Sequence, residues 1–314
     1  MLKICSFLPA VTQMIYDMGL QDHLMGVTFE CPGIALKEKI PVVRCILEGK
    51  EYTSVEIDTL FSASKGEGKD LYYVDEALLA QIEPDIIFTQ DVCEICQIDT
   101  ECTAAAVANL NKQPEIISIS PESLEDVFSS AKTIARAMGR EELAIEYLNG
   151  LNHRIDTIVD TQRANRVVPK RVMLLEWMEP LYNCGHWIPH QIAFAGGIDM
   201  LSNPSGDSIA TLWEKVLRYD PEVLVIAPCG FTVERTLGEL TLMTQRNGWE
   251  DLLAVKNNAV FLADFDMFTQ PSASTLVDGI EVMATMFHPE VFEVPTYLTH
   301  KYMHLNQFES QSNP

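Results

Sequence analysis

The sequence predicts an α/β protein with two parallel-sheet halves and a long helix between them. Three observations lead there. Short apolar runs alternate with helix-like stretches in residues 1–120 and again from 169 onward, the pattern of parallel strands joined by helices. From 121 to 164 no strand signal occurs. One grammar appears twice, at 82–89 and at 219–226: a helix, an acidic–Pro–acidic turn, then an apolar strand. These features divide the chain into an N-terminal lobe (1–120), a helical linker (121–168) and a C-terminal lobe (169–314).

Residues 2–8 read as a strand that Pro9 stops, and 12–18 as a helix with Met14, Ile15 and Met18 on one face, closed by Gly19. Strands follow at 24–29 and 40–43. Residues 55–63 are helical, and 64–69 are a polar break with two glycines. Asp75 can cap a helix over 76–82, which turns at Glu83-Pro84-Asp85 into a buried strand. A helix at 100–109 and a strand at 115–118 complete the first half. In the linker, Leu143, Tyr147, Leu148, Leu151, Ile155 and Ile158 recur at helical spacing, and a helix of about 20 residues spans about 30 Å. The second half restarts with a strand at 172–175, helices at 188–195 and 213–218, strands at 223–226 and 260–263, and a helix at 275–287. The tail after Tyr302 is polar and reads as loose.

The 314 residues carry 45 acidic against 22 basic side chains, a net charge of -23. Such a surface repels phosphate backbones, which argues against nucleic acid as a partner. The hydrophobic share of 47% suits a globular core, and no run of about 18 apolar residues is present to span a membrane. The opening residues contain no basic region followed by an apolar leader, which predicts a cytoplasmic location; only a chain trimmed of its leader would be periplasmic. Eight cysteines in a chain this long do not resemble a small disulfide scaffold and read as thiols.

In open α/β sheets, ligands sit at the carboxyl ends of the strands. The loops there begin with Ser6 and Pro9, Glu30-Cys31 and the run Asp91 to Cys96 in the first half. In the second half they hold Glu176-Trp177, the 182–187 segment, Cys229 and the 264–268 segment. Cys93-x-x-Cys96 has the spacing for two ligands on one metal, with Cys31 and either Cys229 or His186 to complete the set. Zinc or an iron–sulfur cluster would suit these donors. The same spacing serves a redox dithiol, or two small loop residues with no common role. His186 stands between Gly185 and Trp187 and can ligate a metal or hydrogen-bond locally. Trp177, Trp187, Phe231, Phe265 and Phe268 fall at strand ends, as the aromatic walls of a flat ligand site or as core; Glu176 and Asp266 could serve a metal or ligand amides. No Gly-x-Ser-x-Gly elbow, phosphate loop, dinucleotide glycine motif or His-Glu-x-x-His is present, so no catalytic group is assigned.

The opening Ile4-Cys5-Ser6-Phe7-Leu8-Pro9-Ala10-Val11-Thr12, the 78–89 element and its partner at 213–228 resemble the class III substrate-binding proteins. These are the proteins that capture vitamin B12, ferric siderophores and haem for ABC importers. Glu30-Cys31, the Thr89 to Cys96 run, Leu175-Glu176-Trp177-x-x-Pro180, Gly185-His186-Trp187-x-Pro189, Pro228-Cys229-Gly230-Phe231 and Val277-Asp278-Gly279-x-Glu281 are similar to a leaderless bacterial subgroup labelled cobalamin-binding. The resemblance implies two Rossmann-like lobes joined by a linker helix, with a ligand cleft between them. It implies a binding protein for cobalamin, a related corrinoid or another metal chelate. Ser6, Pro9, Glu30, Asp91, Glu176, Trp177, His186, Trp187, Phe231, Asp266 and Phe268 would contact the ligand, and Cys31, Cys93, Cys96, Cys229 and His186 are the candidate metal ligands. The missing leader puts an ABC permease partner in doubt. A Cys/His metal or iron–sulfur protein, or a redox enzyme on the same fold, is the alternative.

Overall fold

The computed structural model describes residues 2–50, 52–67, 71–90, 100–108 and 110–305. The chain forms two compact units. Unit 1 holds residues 1–121 and 125–149, and unit 2 holds 122–124 and 150–314.

Unit 1 runs β1 (Ile4–Ser6), α1 (Pro9–Asp17), β2 (Leu24–Thr28), α2 (Gly33–Glu38), β3 (Ile40–Cys45), α3 (Ser54–Glu67), β4 (Tyr72–Val74), α4 (Glu76–Ile82), β5 (Ile86–Thr89), α5 (Thr100–Val107) and β6 (Glu115–Ser118). Its sheet has the order β4-β3-β2-β1-β5-β6, parallel except where β4 turns back on β3. The short apolar runs are strands because both of their faces are covered. Cys5, Val42, Val43 and Ile87 pack with Leu79 and Ile82 of α4 and Val107 of α5. Each such aliphatic side chain removed from water contributes about 1.5–3 kcal/mol. Asp75 caps α4 as expected, its Oδ1 accepting the Leu78 N–H at 2.9 Å. Two local expectations are corrected. Pro9 opens α1 instead of closing a strand, because its fixed φ and missing N–H suit the first helical turn. Helix α3 continues to Glu67, through most of the stretch expected as a break.

Helix α6 (Leu124–Ala137) and helix α7 (Glu141–Asn165) are separated at Gly139, whose φ of 66° stops the first. The 25 residues of α7 extend about 37 Å. Leu148, Leu151, Ile155 and Ile158 form its buried stripe. Among the described residues no helix is long and apolar enough to cross a membrane.

Unit 2 runs β7 (Lys170–Met178), β8 (Leu181–Asn183), β9 (Gly185–His186), α8 (Ile188–Phe194), β10 (Gly197–Ile198), β11 (Asn203–Pro204), β12 (Ile209–Ala210), α9 (Trp213–Tyr219), β13 (Val223–Ile226), α10 (Val233–Glu239), α11 (Thr241–Thr244), α12 (Leu253–Lys256), β14 (Val260–Ala263), α13 (Ala273–Phe287) and β15 (Tyr302–His304). Strands β10, β7, β13 and β14 are parallel. Strand β8 folds back on β7, β12 on β8 and β15 on β14, while β9 and β11 pair apart from the sheet. The tail expected to be loose therefore begins as an edge strand: Met303 and His304 pair with Leu262 and Phe261. Met173, Leu175, Leu224, Ile226, Val260 and Leu262 pack with Val216, Met243 and Trp249 in the core below this sheet.

Candidate functional site

The strand register brings the second-half candidates to one edge of unit 2. Leu175 lies beside Ile226, and Ile226 beside Leu262, so the parallel ladder of β7, β13 and β14 ends at one level, past which β7 continues to Met178 against β8. The chain past each strand is stitched to its neighbour. Ala227 N–H donates to Leu175 O, Cys229 N–H to Glu176 O and Phe265 N–H to Phe231 O, at 3.0, 3.0 and 3.1 Å. Glu176, Trp177, Cys229, Phe231 and Phe265 thus share this edge. Trp177 is half-buried and meets the buried Phe231 edge to face, ring centres 5.3 Å apart. The Arg235 guanidinium covers the Phe231 ring at 3.7 Å. Cys229 is exposed at the tip.

A second wall comes from β9 and the start of α8. His186 holds a left-handed backbone, φ 52°, and its N–H donates to Gly206 O at 2.6 Å. Its ring stacks along Trp187, with centres 5.3 Å apart. Trp187 is buried and donates from Nε1 to Phe268 O at 2.6 Å, which places Phe268 behind the wall as core. Burial lowers the His186 pKa against the pull of Asp207 and Glu122, so the neutral imidazole is favoured, and its Nδ1 has no hydrogen-bond partner. Glu176 lies under this wall. Its Oε1 accepts the Gly185 N–H at 3.3 Å and its Oε2 accepts the Ser208 hydroxyl. Burial pushes its carboxyl up to about 7, with those two bonds pulling the other way. Asp266 is held by Lys301 at 2.5 Å, which also lies 3.7 Å from Asp264.

In unit 1, Ser6 and Pro9 are buried, and Ser6 Oγ donates to Leu8 O at 2.9 Å, so both shape the turn after β1. Glu30 follows β2 and is open to water, yet the protein around it pushes its carboxyl up to about 7; Glu48 adds repulsion and a hydrogen bond to Tyr72 opposes it. Cys31 is buried, and its thiol donates to Thr12 Oγ1 at 3.1 Å. Burial pushes that thiol up to about 12, which keeps it protonated.

Asp91, Cys93 and Cys96 lie outside the described residues. Among the described residues no group of three or more His, Cys, Asp or Glu side chains is placed to hold a metal.

Three contributors escaped the sequence reading. Ser208 lies 32 positions from Glu176 and carries no signal that links the two. Arg235 was legible in principle, since Thr232 caps α10 and so places it in the first turn, above Phe231. Arg154 gives the Asp278-Gly279-x-Glu281 motif a structural meaning. Its guanidinium grips Asp278 Oδ1 at 2.6 Å and both Glu281 oxygens at 2.9 and 2.7 Å. Gly279 between them lies so close to the 265–267 turn that a Cβ would fall 2.5 Å from Met267 O.

No family model matches the chain. YvrC of Bacillus subtilis, described as an uncharacterized ABC transporter substrate-binding lipoprotein, is 21% identical over 304 residues, 93% of this chain and 81% of that one. The periplasmic vitamin B12 binding protein BtuF of Vibrio cholerae superposes with a TM-score of 0.63 at 16% identity, over 91% of this chain and 96% of that one. S. aureus IsdE, solved with heme, gives 0.68 at 15% identity, over 92% and 99%. A periplasmic heme binding protein from Pseudomonas aeruginosa gives 0.66 at 17%, over 94% and 96%. The chain has the two-lobe α/β fold of the class III substrate-binding proteins. The cytoplasmic location expected from the opening residues is overturned: the proteins sharing this fold are a lipoprotein and periplasmic binding proteins, which points outside the cytoplasm.

Proposed function

We propose that this protein is the extracytoplasmic substrate-binding component of an ABC importer. Its ligand is a metal chelate, a corrinoid before any other, held at the strand ends of unit 2. The observation that carries this reading is the aromatic edge itself: half-buried Trp177 against Phe231, and His186 stacked along Trp187. A macrocycle presents a broad flat face, and indole and phenyl rings cover such a face at little cost in side-chain freedom. The neutral imidazole of His186 adds a lone pair suited to a metal centre. Relatives described as binding vitamin B12 and heme support the chelate class. A permease partner comes with the importer reading.

The test is titration of purified protein with cyanocobalamin and, separately, haemin, followed by calorimetry and tryptophan emission. A tight complex with the corrinoid, weakened about thirtyfold by Trp177→Ala, is expected if Trp177 anchors the ligand with about 2 kcal/mol. Tight haemin binding with no corrinoid binding would move the assignment to porphyrins. No binding of either at micromolar concentration would overturn the reading.

A further inference from the structure

We propose that Glu176 is a positioning residue: it ties the 185–187 segment and Ser208 to the end of β7, and so fixes the aromatic wall of the site without itself touching the ligand. This rests on the reading of that edge as the ligand site. Four segments meet at this one residue. Its side chain takes the Gly185 N–H on one oxygen and the Ser208 hydroxyl on the other, while its carbonyl takes the Cys229 N–H. Both carboxylate oxygens are therefore engaged within the protein, unlike a carboxylate kept open for a ligand.

The segments it holds form one small body. His186 N–H donates to Gly206 O at 2.6 Å and Ser205 N–H to His186 O at 2.9 Å. Gly185 packs so closely on this body that a Cβ would lie 2.4 Å from Gly206 O. The body does not rest in relaxed geometry, because His186 and Ser205 both hold positive φ, 52° and 56°, a backbone that L-residues keep only when their surroundings impose it. Among the described residues, strands β9 and β11 pair with each other and with no strand of the main sheet. The body is joined to the sheet by the Cys184 N–H to Leu174 O bond, by β12, which follows Ser208 and pairs with β8, and by the Glu176 carboxyl, whose two bonds tie Gly185 and Ser208 directly to β7. The His186 and Trp187 rings ride directly on it.

The test compares Glu176→Ala, Glu176→Gln, Ser208→Ala and the double variant E176A/S208A with the wild type. Amide exchange in peptides spanning 183–190 and 203–210 is read by mass spectrometry on the protein without ligand, and cobalamin or haemin affinity is read separately. Ser208→Ala, which loses one of the two hydrogen bonds, accelerates exchange about tenfold in both peptides; Glu176→Ala, which loses both, accelerates it further, and the double variant goes little beyond Glu176→Ala. Glutamine can accept from the Gly185 N–H and donate to Ser208 Oγ, so Glu176→Gln restores both exchange and affinity. Unchanged exchange in Ser208→Ala overturns the proposal, and so does a Glu176→Gln variant that exchanges like wild type but binds no better than Glu176→Ala. Should Glu176→Ala fail to fold, Ser208→Ala and Glu176→Gln carry the comparison. A wild type that binds neither ligand would end the functional reading, whereas exchange in the ligand-free protein still decides the positioning role.

Discussion

In unit 1 the chain leaves α4 at Glu83, and in unit 2 it leaves α9 at Asp220; both residues hold φ 50° and donate their N–H four residues back, to Leu79 and Val216. A proline follows each. Then Asp85 and Glu222 clasp the start of the central strand in the same way. Asp85 N–H donates to Lys3 O and Lys3 N–H to Asp85 Oδ2, at 2.8 and 2.7 Å. Glu222 N–H donates to Arg171 O and Arg171 N–H to Glu222 Oε2, both at 2.8 Å. The difference lies in what each joint is tied to. Asp220 Oδ1 also accepts the Leu253 N–H at 2.7 Å, whereas Asp85 pairs with Lys112. Helix α7 shows the same contrast. Its first part is fastened to unit 1 by the Tyr147 hydroxyl on Asp17, and its second part to unit 2 by the Arg154 fork. Local sequence thus builds the same joint twice, and remote segments give each copy its own anchorage.

The contrast along α7 gives the largest expected effect. Arg154→Ala leaves Asp278 and Glu281, both mostly buried, without their cation, and lowers stability by about 3 kcal/mol in urea unfolding. A loss no larger than that of a surface pair would mean that α7 is held to unit 2 by its apolar stripe alone.

Next comes the pH dependence that Glu176 imposes. Its pKa is raised from 4.5 to about 7, so the native state keeps a proton that the unfolded chain has released. Stability from this group is complete below the unfolded pKa and falls by about 1.4 kcal/mol per pH unit as pH rises through the window between the two values. Glu176→Gln should flatten the thermal midpoint across that window. Glu30→Gln should do so less, because water reaches Glu30. Equal slopes in Glu176→Gln and wild type would show that the Glu176 carboxyl ionises without resistance.

The paired joints predict a smaller, signed difference. Glu83→Gly relieves a left-handed backbone and gains about 1 kcal/mol. Asp220→Gly gains the same relief but loses the Leu253 bond, about 1 kcal/mol, and comes out near zero. Equal gains would erase the distinction between the joints. The smallest effect is Tyr147→Phe, which removes one exposed hydrogen bond and costs about 0.5 kcal/mol. A cost matching that of Arg154→Ala would reverse the comparison of the two ends of α7.

Strands β6, β13 and β14 span the residues that the sequence marks, 115–118, 223–226 and 260–263. A four-residue apolar run bounded by turn signals has few other ways to hide both faces. Strands β8 to β12 left no trace in the sequence, because two or three residues carry no period, and they hold His186 in place. The Met303–His304 pairing escaped for a related reason: an edge strand has one covered side, and its residues read as polar tail.

The sequence alone determined the alternating strands and helices, the paired joints and the loops that end at the sheet edge, because periodicity, proline and capping act within a few residues of one another. Only the tertiary structure decided that Ser208 meets Glu176, that Cys31 is occupied with Thr12, that Phe268 lies behind Trp187 and that the Asp278–Glu281 pair answers to Arg154. Those contacts join residues from 19 to 127 positions apart. Their partners are chosen by how the sheets and helices pack, which no local pattern encodes.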